Sequence, residues 1–386
     1  MRNSLSLAIV TLFSSVALAG GHGNNQHQHD PQPPIQQSTN GAKKVDLVIA
    51  LDTSSSMDGL IDSARSKLWD VVNLLSHAKP APILRVGLIS YGNDGYDAKV
   101  GWVRKDAELT TNLDDVYEKL FALRTNGGSE YVARAVHDAT NDMKWDQDQG
   151  TLKIVFVAGN EPANQDPQIP VERALGEARQ KGIFVNAIYC GGDGAYEAAG
   201  WRQVASLGSG KYAAIDQNRV VAINTPMDGE LAKLSNELNK TYVGYGAVAK
   251  EKAHNQAAMD TASGAAGAPV AASRAAAKAS TLYRNDEWDL VDARAHGKKD
   301  KKAIGDMKAE ELPEPMRRMS EDERLKFLDG KARERGELQK RIADLSQKRD
   351  QFIAGERKKQ AAGPKTFDDA VTSSVRTEAE SAGFAF

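Results

Sequence analysis

Length, composition and charge set wide limits on this chain. Its 386 residues leave room for two or three domains, and a formal net charge of −2 gives no overall attraction to nucleic acid. Cys190 is the only cysteine, so an internal disulfide is excluded and the fold must depend on its core. After residue 20, no segment is apolar for long enough to cross a membrane as a helix.

The first 42 residues predict export. Arg2 precedes a mostly apolar run over residues 5–18, and Ala17-Leu18-Ala19 ends it with the small residues of a cleavage site, which is the pattern of a secretory signal peptide. We therefore expect residues 1–19 to be removed, leaving a periplasmic or secreted protein without a membrane span; an uncleaved anchor is the alternative. Residues 20–42 are polar and rich in Gly, Asn, Gln, His and Pro, which predicts a disordered linker.

Apolar runs alternate with helical periodicities over residues 43–220. The runs predict strands at 45–51, 83–89, 98–103, 152–157, 183–189 and 211–215. The periodicities predict helices at 61–75, 113–123, 131–143, 170–181 and 196–207. Such alternation predicts an α/β fold with a doubly wound, mostly parallel sheet and helices on both faces. Ligands bind sheets of this kind outside the carboxyl ends of the strands.

The remaining residues predict an α-helical, partly disordered C-terminal extension. A closing helix at 228–242 lies in a boundary region over 221–246. Residues 247–318 are dominated first by Ala and then by charge, which predicts a low-complexity linker that encodes no core, although 287–291 forms an isolated patch suited to docking. Residues 319–386 predict a charged helical region that ends in a short amphipathic helix at 367–386.

The charged helix begins at a capping box, Ser320-Glu321-Asp322-Glu323, and runs to about residue 352. Four apolar residues fit the seam of a coiled coil: Leu338, Ile342, Leu345 and Phe352. Three charged residues occupy other seam positions: Lys331, Arg335 and Arg349. A single charged helix is therefore the simpler interpretation, and self-association through it stays an open alternative. Acidic residues are interleaved with the basic ones, which favours a solvated face over a nucleic-acid surface.

The most informative motif follows the first predicted strand. Asp52-Thr53-Ser54-Ser55-Ser56 places one carboxylate and two hydroxyls at alternate positions of a single loop. Alternate residues of an extended loop point the same way, so Asp52, Ser54 and Ser56 direct their oxygens at one point. Hard divalent cations such as Mg²⁺ favour oxygen ligands. The same residue types also cap helices, so the motif alone leaves both interpretations open.

Together with that motif, the order of strands and helices over 45–215 resembles a von Willebrand factor type A domain. The segment from Asp52 to Ser56 matches the first part of that family's metal-ion-dependent adhesion site. The resemblance implies a hydroxyl ligand from the loop 125–130, Ser129 with Thr125 as the alternative, and an Asp after the fourth strand. Gly159 stands where that Asp is expected, so the third contribution falls to Asn160 or Glu161.

The resemblance implies a bound Mg²⁺, or Mn²⁺ or Ca²⁺, held by a set of five residues: Asp52, Ser54, Ser56, Ser129 and Asn160. Because hydroxyl ligands are neutral, the cation would keep positive charge and attract a carboxylate of a partner protein. This predicts an exported binding module, for adhesion or scaffolding, and not an enzyme. Neither a Gly-x-Ser-x-Gly elbow nor a phosphate-binding loop occurs in the sequence. The alternative is a metal-independent structural envelope protein whose C-terminal helix makes the contacts.

Overall fold

A computed structural model describes residues 43–218, 222–359 and 366–386 of the chain. The signal peptide and linker predicted over residues 1–42 lie outside the described residues. Strands β1 to β6 span Lys44–Asp52, Ile83–Tyr91, Val103–Thr110, Leu152–Gly159, Ile183–Tyr189 and Ser209–Ala214. Helices α1 to α12 of the described ranges span Asp58–Ser76, Leu113–Ala122, Val132–Asp142, Val171–Gln180, Ala198–Leu207, Asp228–Asn239, Ala249–Ala265, Ala268–Ala279, Leu290–Ala295, Lys301–Gly305, Glu321–Lys359 and Phe367–Ser381.

The strands form one sheet in the order β3-β2-β1-β4-β5-β6. Neighbouring strands pair in parallel, except that β2 and β3 pair antiparallel. The chain moves outward from β1 to β3 and then crosses to β4 on the other side of β1. This is the doubly wound, mostly parallel α/β fold that the sequence predicts. The carboxyl ends of β1 and β4 therefore meet at the switch point, where open sheets bind their ligands.

The side chains of β1 divide between two hydrophobic cores. Leu47, Ile49 and Leu51 belong to the core that also contains residues of α1, α2 and α12. Val48 and Ala50 belong to the core that contains residues of α3, α4 and α5. Successive side chains of a strand point to opposite faces, and helices cover both faces here. This is why the sequence of β1 is a continuous apolar run.

The third strand lies later in the chain than the sequence predicts. Residues 98–100 form a short 3₁₀ turn, and β3 begins at Val103. Gly101 and Trp102 between them have positive φ angles of 75° and 53°, so the backbone leaves the extended conformation there. β3 is a half-exposed edge strand that contains charged residues. An apolar run does not mark such a strand, and the prediction of 98–103 is wrong for that reason.

The segment 247–318 differs from the coreless linker that its composition predicts. Helix α7 packs on α2, and α8 packs on α1 and α6. Arg274 of α8 is 1% exposed and donates hydrogen bonds to Asp114 of α2 at 2.6 Å and Asp260 of α7 at 2.5 Å. Alanine faces let helices approach closely, and buried charges are tolerated when they are paired. Composition does not reveal such a core, because the paired charges are distant in sequence. In the patch at 287–291, which the sequence indicates as a docking segment, Glu287 is exposed and Trp288 is only 2% exposed.

The helix expected to close the domain, at 228–242, does not occupy that position. Helix α6 ends at Asn239 and packs on α8 and α11. The final helix, α12, packs instead on α1 and on strands β4, β5 and β6. Asn186 of β5 donates a hydrogen bond of 3.2 Å to Glu378 of α12, a residue 192 positions away. Local sequence patterns cannot indicate this arrangement, because it joins segments that are so far apart.

Helix α11 begins at the predicted capping box and packs on α6, α8, α9 and α10. Its seam residues Leu338 and Ile342 lie in a cluster with residues of α6 and α8. Arg335, 4% exposed, contacts Asp289 at 2.7 Å, and Arg349 contacts Asp228 at 2.8 Å. Leu338, Ile342 and Leu345 therefore pack within this chain, whereas Phe352 is exposed. Buried ion pairs explain the charged seam positions 335 and 349, and Lys331 pairs with Glu334 at the surface.

Candidate functional site

Asp52 lies at the carboxyl end of β1, at the switch point of the sheet. It is fully buried and stands opposite Tyr91 of β2 in the strand register. Its Oδ1 accepts a hydrogen bond of 2.7 Å from the backbone N–H of Ser54, which turns the following loop back toward the carboxylate. Its Oδ2 has no hydrogen-bond partner among the described residues. Because a buried oxygen of a carboxylate is costly to leave unpaired, Oδ2 is the atom at which a ligand is expected.

Three other predicted ligands gather beside Asp52. The hydroxyl oxygens of Ser54 and Ser56 lie 3.4 Å apart. The Asn160 side-chain Nδ2 donates to Ser56 Oγ at 3.0 Å, while Asn160 Oδ1 is buried and lacks a partner in the part of the chain that the structure describes. Ser56 is exposed, so the group opens to solvent. Four of the five predicted ligands are thus brought together at the end of β1.

Ser129, the fifth predicted ligand, is not joined to this group by a hydrogen bond. It is half-buried in the loop before α3, and its side chain makes no hydrogen bond within the described ranges. The alternative residue, Thr125, donates a hydrogen bond of 2.5 Å to Asp58 at the start of α1. The Thr125 hydroxyl is therefore already engaged, whereas the Ser129 hydroxyl is free to take a ligand.

Glu130 lies beside Asp52 and was not predicted as part of the site. Its side chain is 7% exposed, and its Oε2 has no hydrogen-bond partner among the described residues. A Cβ atom built on Gly92 would lie 2.8 Å from Asp52 Oδ1 and 2.9 Å from Glu130 Cγ, so the two carboxyl-bearing side chains flank one glycine. The charge of Asp52 raises the pKa of the Glu130 carboxyl, as expected for two neighbouring acidic groups.

Backbone contacts hold the loop of Glu130 against the loop of Asp52. The N–H of Asn126 donates to the carbonyl of Thr53 at 2.9 Å, and Asn93 Nδ2 donates to the carbonyl of Arg124, also at 2.9 Å. A Cβ atom on Gly128 would lie 2.6 Å from the Gly92 carbonyl oxygen, so only glycine permits this approach. The sequence could not indicate Glu130, because its place depends on this packing of two loops.

Gly159 leaves no room for the Asp that the family pattern expects there. A Cβ atom at residue 159 would lie 2.5 Å from the Tyr91 hydroxyl oxygen and 3.0 Å from Asp52 Oδ2. The Tyr91 side chain is fully buried and fills this space. Glycine stands at residue 159 in place of Asp, and the neighbouring Tyr91 side chain fills the space that an Asp side chain would need.

Burial and mutual repulsion govern the charge of the two carboxyl groups. Burial, and then the charge of Asp52, raises the pKa of Glu130 well above its usual range. Burial also raises the pKa of Asp52, against the opposing effect of the Ser54 backbone hydrogen bond. Each of the two carboxyl groups therefore holds its proton more firmly than an exposed Asp or Glu does, and a bound cation would compete with that proton.

Further acidic residues surround the opening of the site. Glu161 is exposed, and its charge raises the pKa of both Asp52 and Glu130. Asp58 is exposed at the start of α1, and Asp94 is exposed on the loop after β2. Asp94 lies beside Ser55, since a Cβ atom on Gly127 would be 3.3 Å from Asp94 Oδ2 and 3.7 Å from Ser55 Oγ. The opening therefore carries negative charge, which attracts cations to it.

The donor set fits a hard divalent cation. Within the described ranges, no group of three or more His, Cys, Asp or Glu side chains is arranged to hold a metal ion. The set at the end of β1 consists instead of two carboxylates, two hydroxyls and an amide oxygen. Three of its oxygens, on Asp52, Glu130 and Asn160, have no partner in the described chain. Oxygen donors of this kind suit Mg²⁺ or Ca²⁺ better than softer metals.

Comparison with known proteins gives one family. Residues 46–225 match the family model described as the von Willebrand factor type A domain. No curated protein matches the chain. Similar solved structures include proximal thread matrix protein 1 from the mussel byssus with a zinc-occupied MIDAS motif, at 13% identity and a TM-score of 0.36, covering 45% of this chain and 42% of that chain.

Two bacterial structures are similar at the same level. One is a von Willebrand factor type A protein from Catenulispora acidiphila, at 15% identity and a TM-score of 0.36, covering 45% of this chain and 39% of that chain. The other is the pilus adhesin SpaC from Lactobacillus rhamnosus GG in its open conformation, at 17% identity and a TM-score of 0.34, covering 46% of this chain and 28% of that chain. The chain thus spans less than half the length of each of these proteins.

Proposed function

Since residues 46–225 belong to the von Willebrand factor type A domain family, we propose that this chain is a protein-binding module that engages an acidic residue of a partner through a divalent cation. Domains of this family typically mediate protein–protein interactions and adhesion. The observation that supports the proposal is the pair of oxygens without partners in the described chain, Asp52 Oδ2 and Asn160 Oδ1, beside the hydroxyls of Ser54 and Ser56.

The proposed cation is Mg²⁺, with Mn²⁺ or Ca²⁺ accepting the same donors. When bound, it supplies a positive charge that attracts a carboxylate. Asp52 would hold it through Oδ2, and the hydroxyls of Ser54 and Ser56 and the amide oxygen of Asn160 would complete this side of the shell. Ser129 stays a proposed ligand from the second loop, because its hydroxyl has no other hydrogen bond within the described ranges.

The negative charge around the opening limits which partner surfaces could approach the site. Asp58, Asp94 and Glu161 are exposed near the site, so they repel an acidic surface at long range. A partner would therefore present a single carboxylate to the cation, flanked by neutral or basic residues. The acidic residues would at the same time raise the local concentration of the cation.

The metal-independent alternative has less support. It requires contacts made by the C-terminal helix, α11. The seam residues Leu338 and Ile342 of that helix are buried against α6 and α8 of the same chain. We therefore keep the carboxyl edge of the sheet as the proposed binding surface.

A location outside the cytoplasm is proposed from the pattern at residues 1–19. Among the described helices, none has both the length and the apolar character that crossing a membrane requires. N-terminal sequencing of the protein after expression from its full reading frame tests this directly, with Gly20 expected as the first residue. An intact Met1 would contradict it.

Selection from a random peptide library tests the proposed function. The immobilised protein is incubated with the library in Mg²⁺, and bound peptides are eluted with a chelator. We expect enrichment of peptides with one Asp or Glu among neutral or basic residues, and no such enrichment with an Asp52→Asn variant. Asn keeps the acceptor for the Ser54 N–H, so the loop is preserved. Equal enrichment with wild type and variant, or none with either, would contradict the proposal.

A further inference from the structure

We infer that Glu130 is a ligand of the cation site and supplies the second negative charge, which Gly159 does not provide. The inference rests on the proposed function, since it assigns an additional residue to the same site. Four observations of the described chain support it: the position of Glu130, its missing partner, the absence of a neutralising residue, and the obstruction at Gly159.

Glu130 is held close to Asp52 by backbone contacts. The two side chains flank Gly92, with Asp52 Oδ1 at 2.8 Å and Glu130 Cγ at 2.9 Å from the same constructed Cβ position. The loop that carries Glu130 is fixed to the loop that carries Asp52 through the 2.9 Å hydrogen bond from Asn126 N–H to the Thr53 carbonyl. Contacts within the protein are therefore enough to place Glu130 beside Asp52.

The carboxyl groups of Asp52 and Glu130 each have an oxygen without a hydrogen-bond partner, and neither group has a cationic partner in the described chain. Asp52 is fully buried and Glu130 is 7% exposed, yet Oδ2 of the first and Oε2 of the second have no hydrogen-bond partner in the described ranges. Neither residue forms an ion pair with any described Lys, Arg or His. By contrast, Asp46 and Asp166, which are also buried, each pair with an arginine, Arg85 and Arg134 respectively.

Asp46 and Asp166 are neutralised by arginines, whereas Asp52 and Glu130 have no positive partner in the described chain. This difference indicates that a positive charge from outside the protein neutralises them. Two adjacent buried carboxylates without a counter-ion are costly, whereas a divalent cation between them would balance their charge. The hydroxyls of Ser54 and Ser56 contribute oxygen without charge, so the balance depends on Asp52 and Glu130 together.

The obstruction at residue 159 explains why the charge comes from the second loop. The Tyr91 hydroxyl would lie 2.5 Å from a Cβ atom at residue 159, so a carboxylate side chain cannot stand there without displacing Tyr91. Glu130 therefore takes the place of the missing third-loop carboxylate, from a different loop.

Binding of Mn²⁺, followed by the loss of the free-ion signal in electron paramagnetic resonance, tests the inference. Wild type is compared with Glu130→Gln, with Asp52→Asn, and with Glu380→Gln as a matched control that removes an exposed carboxylate of α12. We expect Glu130→Gln to weaken Mn²⁺ binding at least tenfold and Glu380→Gln to leave it unchanged.

Thermal unfolding of the same proteins, with and without metal, distinguishes a ligand role of Glu130 from a purely structural role. Without metal, Glu130→Gln should unfold at the same temperature as wild type or higher, because the substitution removes the cost of burying an ionisable group beside Asp52. With saturating Mn²⁺, its unfolding temperature should rise less than that of wild type. A structural role predicts a lower unfolding temperature without metal.

The outcomes separate the inference from the proposed function. If folded wild type binds no Mn²⁺, the proposed function fails. If Asp52→Asn loses binding while Glu130→Gln binds as tightly as wild type, the cation site stands and the role of Glu130 is overturned. If Glu130→Gln is destabilised without metal, Glu130 is structural and the inference is also overturned.

Discussion

The hydroxyl of Tyr91 donates a hydrogen bond of 2.9 Å to the carbonyl oxygen of Ala158, and this contact decides what can stand at the next residue of the third loop. The bond fixes the phenol across the end of β4, beside Asp52. Residue 159 is glycine because the phenol fills the space that a side chain would need. The Asp that the resemblance implies at residue 159 therefore has no room there.

Substitution of Gly159 tests this packing. Gly159→Ala places a Cβ atom 2.5 Å from the Tyr91 hydroxyl, so we expect a loss of about 1–3 kcal/mol in the free energy of unfolding. In a Tyr91→Phe background the same substitution should cost less, because the obstructing oxygen is gone. Denaturant unfolding of the four proteins gives the coupling between the sites. Additive effects would contradict the account.

The pH dependence of stability should reveal Glu378 of α12. Burial raises the pKa of this carboxyl to about 8, with the hydrogen bond from Asn186 and the charge of Lys211 opposing it. Between about pH 4.5 and pH 8, the unfolded chain loses this proton while the folded chain keeps it, so the contribution of Glu378 to stability is lost as pH rises through that range.

Glu378→Gln should therefore be more stable than wild type at pH 8, by roughly 4 kcal/mol at most, taking about 1.4 kcal/mol per pKa unit. The advantage should shrink toward pH 5. Glu380→Gln, at an exposed position of the same helix, is the control for the change in net charge. Parallel pH profiles for wild type and Glu378→Gln, measured by denaturant unfolding, would show that the buried carboxyl does not keep its proton.

Arg335 should be essential for the packing of α11. Its guanidinium contacts Asp289 at 2.7 Å and Asp292 at 2.6 Å and donates to the Thr241 carbonyl at 2.8 Å. Arg335→Ala leaves buried carboxylates unpaired, so we expect a loss of about 3–5 kcal/mol in the free energy of unfolding. Arg341→Ala removes an exposed arginine of the same helix and should cost less than about 1 kcal/mol. Similar losses for both variants would contradict this role.

The two candidate hydroxyls of the second loop should differ in their effect on the cation. Thr125 already donates to Asp58 at 2.5 Å, whereas the Ser129 hydroxyl makes no hydrogen bond within the described ranges. Ser129→Ala should weaken Mn²⁺ binding about fivefold, the equivalent of roughly 1 kcal/mol for one oxygen ligand. Thr125→Ala should leave binding unchanged. The reverse result in a calorimetric titration would assign the ligand to Thr125.

Much of the fold follows from the sequence, because β1 and its neighbours are short apolar runs that alternate with amphipathic helices. The first loop of the site follows as well, since Asp52, Ser54 and Ser56 stand within five residues and one loop geometry aligns them. Glu130 and Tyr91 could not be found in this way. Each reaches Asp52 through contacts between separate strands or loops, and neither belongs to a pattern of neighbouring residues.

In the C-terminal region too, local sequence patterns indicate where helices form but not which segments they pack against. The capping box and the periodicity of α11 mark its start and its apolar positions. They do not show that α6 and α8 cover those positions within the chain. The place of α12 on the sheet depends on pairing with Asn186, far away in the sequence, so no local pattern distinguishes it from a free amphipathic helix.

Calorimetric titration of the purified protein with Mg²⁺ and Mn²⁺, beside the Asp52→Asn variant, tests whether the end of β1 binds a cation. Wild type should bind one cation saturably, with both ions, and the variant should lose that binding while its fold is retained. No saturable binding by the folded wild type, or equal binding by the variant, would contradict a cation site at the end of β1.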